Sequence, residues 1–163
     1  MKKIGLLSDT HGYLHPKVFE FFSGCDEVWH AGDIGNIETA HQLAEFRVLR
    51  AVHGNIDGSD VRSIHPGFLV FQAEDVKVVM MHIGGYPGRY VQEAKELIHR
   101  EKPLLFISGH SHILKVIHDK KNHLLHINPG AAGKSGLHRV ITLVRFTIEG
   151  SDIRDLEILE AQR

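Results

Sequence analysis

Short apolar runs alternate with amphipathic stretches along the first two-thirds of the chain. The runs are rich in Val, Ile and Leu, as in strands buried on both faces, and they cover residues 3–8, 27–30, 47–52, 76–82 and 104–108. Helical spacing of apolar residues predicts helices over residues 15–23, 36–45 and 88–100. Strands that alternate with helices in this way predict a sheet with crossover helices.

The pattern changes after His112. The segment "KVIHDKKNHLLHINP" predicts a hairpin that turns at Lys121 and Asn122, and further strands are predicted over residues 138–148 and 152–158. Upstream, "GFLVFQAEDVKVVMMH" predicts another hairpin around Glu74 and Asp75. We therefore expect an α/β protein in which two sheets pack with helices outside, as a single domain over residues 1–163.

Composition narrows the possible functions. The chain has 163 residues, 42% of them hydrophobic, with a net charge of -1, so a long phosphate backbone would find little attraction and we expect no long nucleic acid as partner. The lone Cys25 excludes an intramolecular disulfide and a thiolate zinc cluster. The start, "MKKIGLLSDTHG", has too short an apolar run for a signal peptide or a membrane span. A cytoplasmic protein without membrane contact is expected.

Polar residues follow the predicted strands at their carboxyl ends. Because the carboxyl ends of parallel strands meet in one crevice, we expect these side chains to converge. Three of them come directly after a glycine (Gly32, Gly54 and Gly109), which permits a sharp turn. The convergent set is Asp9, His11, Asp33, Asn55, His82, His110 and His112.

Imidazole, carboxylate and amide groups without lysine or arginine among them are a donor set for metal cations. Seven ligands are too many for one ion and suit two ions that share a carboxylate. Taken singly, each motif has an ordinary explanation, since H-x-H arises by chance among 14 histidines and G-D or G-N usually marks a turn. The ordered set at strand ends favours the metal site.

The remaining histidines carry less information. We expect solvated surface positions for His15, His41, His99, His118, His123 and His138. The sequence leaves four open: His30, His53, His65 and His126.

The motifs "SDTHG", "HAGDIG", "HGNID", "MHIGG" and "SGHSH", followed by "INPGAAG", resemble in order and spacing those of the calcineurin-like metallophosphoesterase superfamily. The small size and the N-P-G loop resemble its compact YfcE-type phosphodiesterase branch. The resemblance covers residues 3 to about 148. It implies a four-layer α/β/β/α sandwich of two mixed sheets, with a dinuclear metal centre at one end.

The resemblance also assigns the ligands. It implies that one metal is held by Asp9, His11 and His112, that Asn55, His82 and His110 hold the other, and that Asp33 bridges. Ser111 is then expected to point away from the metals, because alternate residues of an extended chain face opposite sides.

The expected activity is hydrolysis of small phosphodiesters by a water that two metals activate, and no G-x-S-x-G nucleophile motif is present. Mn²⁺ is the expected ion from the resemblance, with Ni²⁺, Fe²⁺ or Zn²⁺ as alternatives. Relatives are commonly dimers, so a homodimer is possible. The residues expected to act in catalysis are Asp33, Asn55, Asp57 and His82.

Two departures from the family pattern stand out. Many relatives have a histidine able to protonate the leaving group where this chain has Ile56, so His53 is the nearby candidate for an acid. The "HIGGYPGRY" segment predicts a different rim, in which Tyr86, Arg89 and Tyr90 contact substrate or, alternatively, a helix starts at Pro87. Asn128 and Gly130 either shape the floor of the site or form a tight turn.

The main alternative is a scaffold. The retromer subunit with this fold is a protein-binding module with little catalysis, and fold does not fix function. All seven ligand positions are filled here, which favours an enzyme.

Overall fold

Ten strands and four helices make up the computed structural model, which describes residues 1–163. Along the chain they are β1 (Lys2–Leu7), α1 (Lys17–Phe21), β2 (Glu27–His30), α2 (Ile37–Phe46), β3 (Val48–Ala51), α3 (Ser59–Arg62), β4 (Phe68–Ala73), β5 (Val76–Met81), α4 (Gln92–Glu101), β6 (Leu105–Ile107), β7 (Leu114–Asp119), β8 (Leu124–Pro129), β9 (Val140–Glu149) and β10 (Asp152–Gln162). None of the helices has the length and hydrophobicity that a membrane span requires.

The strands form two five-stranded mixed sheets. The first has the order β10-β9-β1-β2-β3 and the second β4-β5-β6-β8-β7. In the first sheet β1, β2 and β3 are parallel, and in the second β5, β6 and β8 are parallel. The remaining pairings are antiparallel, including both predicted hairpins.

Side-chain alternation along the strands explains the layers. Ile4 and Leu6 of β1 face the core between the sheets, together with Val78 and Met80 of β5. Leu7 of β1 lies in a second cluster, with α1 and α2, because successive residues of a strand point to opposite faces. On the other side α4 packs over β5 and β6. The four-layer α/β/β/α sandwich is therefore confirmed.

One helix prediction needs correction, and one helix of the structure was not predicted. The helix predicted over residues 88–100 begins only at Gln92, because Gly85 and Gly88 have φ of +80° and +83° and the Arg89 amide donates to the Tyr86 carbonyl in a turn. A helix start at Pro87 is therefore wrong. The single-turn helix α3 was not predicted at all.

Candidate metal centre

The carboxyl ends of five parallel strands bring the seven predicted ligands to one end of the sandwich. From the first sheet, Asp9 and His11 follow β1, Asp33 follows β2 and Asn55 follows β3. From the second sheet, His82 follows β5 directly, and His110 and His112 follow β6. The two sheets thus contribute ligands from both sides of the core.

Six of these residues form two triads. Within each, one ligand atom per residue lies within 4.8 Å of the other two: Asp9, His11 and His112 form the first triad, and Asp33, His82 and His110 the second. Asp33 lies between them, since its Oδ2 is 3.5 Å from Nε2 of His11 and 3.2 Å from Nε2 of His82. A carboxylate that reaches both triads has the position of a bridging ligand.

Asn55 is exposed and lines a groove together with His82 of the second triad. The family resemblance groups Asn55 with this same His82. The groove has a volume of about 260 Å³ and opens to solvent beside the second triad.

The buried ligand atoms fit divalent cations. Oδ1 of Asp9 and Nε2 of both His11 and His82 are buried without a hydrogen-bond partner, and an unpaired buried polar atom is costly unless it binds something. Nδ1 of His82 lies 2.8 Å from the Ala31 carbonyl. A carbonyl only accepts, so Nδ1 carries the proton and Nε2 has a free lone pair, as a metal ligand requires.

Charges around the centre reinforce this donor set. Burial raises the pKa of Asp9, but the imidazoles of His11 and His112 outweigh it and hold the pKa well below its usual range. For Asp33, burial is again outweighed, here by the neighbouring His82, and the pKa is lowered. Both carboxylates are therefore ionised at neutral pH and available as anionic ligands.

Comparison with known proteins identifies the family. A family model of the calcineurin-like phosphoesterase superfamily domain matches residues 1–151. The chain belongs to the calcineurin-like phosphoesterase superfamily. A probable metallophosphoesterase from Methanocaldococcus jannaschii is 31% identical over 134 residues, which cover 78% of this chain and 67% of the relative.

Solved structures share the fold of this phosphoesterase domain. An archaeal phosphodiesterase is 23% identical with a TM-score of 0.68 and covers 96% of this chain and 99% of its own. Vps29 of Chaetomium thermophilum superposes with a TM-score of 0.77 over the whole of both chains, at 13% identity. At these identities the likeness concerns the fold alone.

The backbone of the phosphoesterase site is unusual at the ligands themselves. Five of them have left-handed φ values between 48° and 71°: Asp9, His11, Asp33, His110 and His112. Non-glycine residues adopt this region at a cost and concentrate there at functional sites. Three glycines before ligands were predicted to permit a sharp turn, and of these only Gly32 has a left-handed φ, of +101°. At Gly54 the requirement is close approach, because a Cβ there would lie 2.1 Å from Oδ1 of Asp33.

The loop between the paired histidines is not extended. The left-handed His110 and His112 flank a Ser111 whose amide donates to the Gly109 carbonyl, so the predicted strand alternation is wrong. Ser111 nevertheless turns its hydroxyl to Tyr86 and to Nδ2 of Asn128. Tyr86 and Asn128 therefore hold this loop in place.

Tyr90, also expected at the rim of the site, lies in a different, buried environment. The Tyr90 hydroxyl donates to the Asp119 carboxylate at 2.9 Å, in a buried position. Burial raises the pKa of Tyr90, and Asp119 adds to it. Tyr90 therefore has a structural partner away from the centre.

Two buried polar residues connect the loops that carry ligands. The Gly32 amide donates to Nδ1 of His30, so Nε2 of His30 carries the proton and donates to the Thr10 hydroxyl at 2.9 Å. Asp57 accepts from the amides of Ile34, Gly35 and Gly54 at 2.8 to 3.1 Å. His30 and Asp57 thus join the loops after β1, β2 and β3.

The remaining histidines separate into distinct environments. His41, His99, His118 and His123 are exposed, and His15 is half-buried. A solvated surface position is wrong for His138, which packs edge-on against His112 at 5.3 Å between ring centroids and contacts the Gly133 carbonyl through Nε2. His126 is fully buried beneath Tyr86 and Phe106.

One cation in the groove was not predicted from the sequence. Arg62, at the end of α3, lines the groove with Asn55 and His82. It follows Asp57 by five residues in a segment without periodicity, so no spacing rule marks it. Its contacts also involve His53, the residue considered as an acid.

Proposed function

We propose that the protein is a phosphodiesterase that hydrolyses small phosphodiesters with a water activated at a dinuclear metal centre. The observation that carries this proposal is the position of Asp33, whose Oδ2 lies within 3.5 Å of one histidine Nε2 from each triad. The family supplies the reaction class, phosphate-ester hydrolysis.

Two divalent ions bound here would lower the pKa of a shared water and offset the charge that develops on the phosphate oxygens. The chain's own residues prepare the site. The Ala31 carbonyl fixes the tautomer of His82, Asn55 offers a neutral ligand, and Asp57 acts by positioning the loop that carries Asn55. The donors are oxygen and imidazole nitrogen, which suit Mn²⁺, Ni²⁺, Fe²⁺ or Zn²⁺, and the family resemblance places Mn²⁺ first.

Preference for diesters over monoesters is supported by the charge of the groove. Its lining includes one arginine, Arg62, and one carboxylate, Glu93. A dianionic monoester calls for a denser cluster of cations than this. The archaeal neighbour of the same fold is itself a phosphodiesterase.

The test is hydrolysis of two matched esters after metal-stripped protein has been reloaded with Mn²⁺. We expect a higher kcat/KM for bis(4-nitrophenyl) phosphate than for 4-nitrophenyl phosphate, and no turnover by the stripped protein. A higher kcat/KM for the monoester would reverse the assignment.

A second candidate is a protein-binding module without catalysis, because the chain shares its fold with Vps29 and a fold does not fix function. The completeness of both triads argues against it. Protein that holds both ions and cleaves neither ester would support this candidate instead.

A further inference from the structure

The groove beside the second triad contains a guanidinium that the ligand set does not account for. Arg62 lines it together with Asn55 and His82. It comes from α3, four residues long, which packs just after the loop that carries Asn55. Arg62 therefore shares a solvent-filled space with ligands of the second triad.

The contacts of Arg62 hold it firmly but leave its charge uncompensated. Nε donates to the Asp57 carbonyl at 2.5 Å and Nη2 to the Gly54 carbonyl at 3.0 Å, and Nη1 contacts Nε2 of His53 at 3.3 Å. No carboxylate lies within salt-bridge distance of the Arg62 guanidinium, in contrast to Arg50 and Arg145, which each pair with one. Arginine has five N–H donors, so at least one remains for a ligand.

His53 supports this arginine. Its Nδ1 lies 2.8 Å from the His65 carbonyl and must donate to it, and arginine has no acceptor, so Nε2 of His53 must accept from Arg62. A nitrogen that accepts carries no proton to give to a leaving group. In this geometry His53 is a positioning residue for Arg62.

The residue at the neighbouring position, Ile56, indicates which role a cation would have in this groove. Ile56 is 46% exposed, and its side chain has no proton to donate. When a phosphate ester is cleaved, negative charge builds on the departing oxygen. A guanidinium does not give up its proton, but a fixed N–H donor stabilises an anionic oxygen in a site that is preorganised for it.

We propose that Arg62 contacts the phosphate ester at the second triad and stabilises the departing oxygen that no side chain at position 56 can protonate. Water supplies the oxygen of the new P–O bond and releases one proton to solvent. The departing oxygen keeps the electron pair of the broken bond, hydrogen-bonded to the guanidinium, and then takes a proton from solvent. This inference rests on the proposed function.

The test compares Arg62→Gln and Arg62→Lys with the wild type, all loaded with Mn²⁺. Arg100→Gln is the matched control, because it removes the same charge from an exposed site on α4. The substrates are methyl aryl phosphates whose leaving groups run from 4-nitrophenol to phenol. Bound manganese is counted in each variant.

We expect Arg62→Gln to retain both ions and to lose about ten- to a hundredfold in kcat for the phenol ester, the range for one hydrogen bond to a charged group. The loss should be smaller for the nitrophenol ester, so that log kcat falls more steeply with leaving-group pKa. Guanidinium chloride at millimolar concentration should restore part of the rate to Arg62→Gln, and Arg62→Lys should lie between the two. The control should match the wild type.

An unchanged slope in metal-loaded Arg62→Gln would overturn the inference and leave the phosphodiesterase standing. Loss of manganese in both Arg62 variants without rescue by guanidinium would also overturn it, since Arg62 would then only brace the loop. If the loaded wild type cleaves no ester, the proposed function fails, and titration with inorganic phosphate decides the inference. If Arg62 contacts phosphate, Arg62→Gln should bind inorganic phosphate more weakly than the wild type and Arg100→Gln. Equal affinities would refute the inference.

Discussion

We predict that His126 makes the stability of the protein depend on pH, and a single substitution can isolate its effect. The ring is fully buried, stacks on Phe106 with 5.6 Å between centroids, and has no hydrogen-bond partner on either nitrogen. Burial lowers the pKa of His126 from 6.5 to about 4. The folded chain thus keeps His126 neutral where the unfolded chain binds a proton.

The sign and size of the effect follow from this difference. The stability contributed by neutral His126 is present above pH 6.5 and is lost as pH falls towards 4. At pH 5 the unfolded ring is almost fully charged and the folded ring almost fully neutral. The loss relative to neutral pH is then about 2 kcal/mol, from 1.5 pH units at about 1.36 kcal/mol per unit.

The assay is urea unfolding of His126→Leu and the wild type at pH 7.5 and 5.0, with chelator present so that metal does not contribute. Between pH 7.5 and pH 5.0, we expect the free energy of unfolding of the wild type to fall by about 2 kcal/mol more than that of His126→Leu. His99→Leu, at an exposed position on α4, is the control and should follow the wild type. An equal fall in His126→Leu and the wild type would show that the buried ring does not take part.

Two further predictions concern the metal centre. Asp33→Ala should lose both ions and all measurable activity, because Asp33 reaches both triads. Asn55→Ala should keep at least one ion, because Asn55 is a neutral ligand to one triad. Equal metal content in the two variants would contradict the bridging role of Asp33. In the wild type, kcat should fall steeply as leaving-group pKa rises, because Ile56 supplies no acid, and Ile56→His should partly rescue diesters with poor leaving groups. A flat line in the wild type, with chemistry rate-limiting, would mean that an acid is present and would contradict this prediction.

The sequence predicted the layers well because each buried strand shows a short apolar run. β1, β2 and β5 lie within about one residue of their predicted ends. The start of α4 was missed because Gly85 and Gly88 adopt left-handed turns in a segment that otherwise has helical spacing. Local composition does not show which of two permitted conformations tertiary contacts select.

For the site, the sequence identified the convergent residues but not how they are held. Strand ends fixed the neighbourhood of His82, while its tautomer depends on the Ala31 carbonyl, 51 residues earlier in the chain. The extended geometry expected around Ser111 failed because the flanking histidines are left-handed. The role of Arg62 could not be predicted from the sequence, because its position depends on backbone carbonyls of a loop that forms only in the folded chain.

Metal counting on the purified protein tests the central claim most directly. Protein stripped of metal, dialysed against saturating Mn²⁺ and freed of unbound ion should contain close to two manganese ions per chain. Electron paramagnetic resonance should then show that the two ions are magnetically coupled, as expected for a pair that shares the Asp33 carboxylate. One ion per chain, or two ions without coupling, would contradict a dinuclear centre bridged by Asp33.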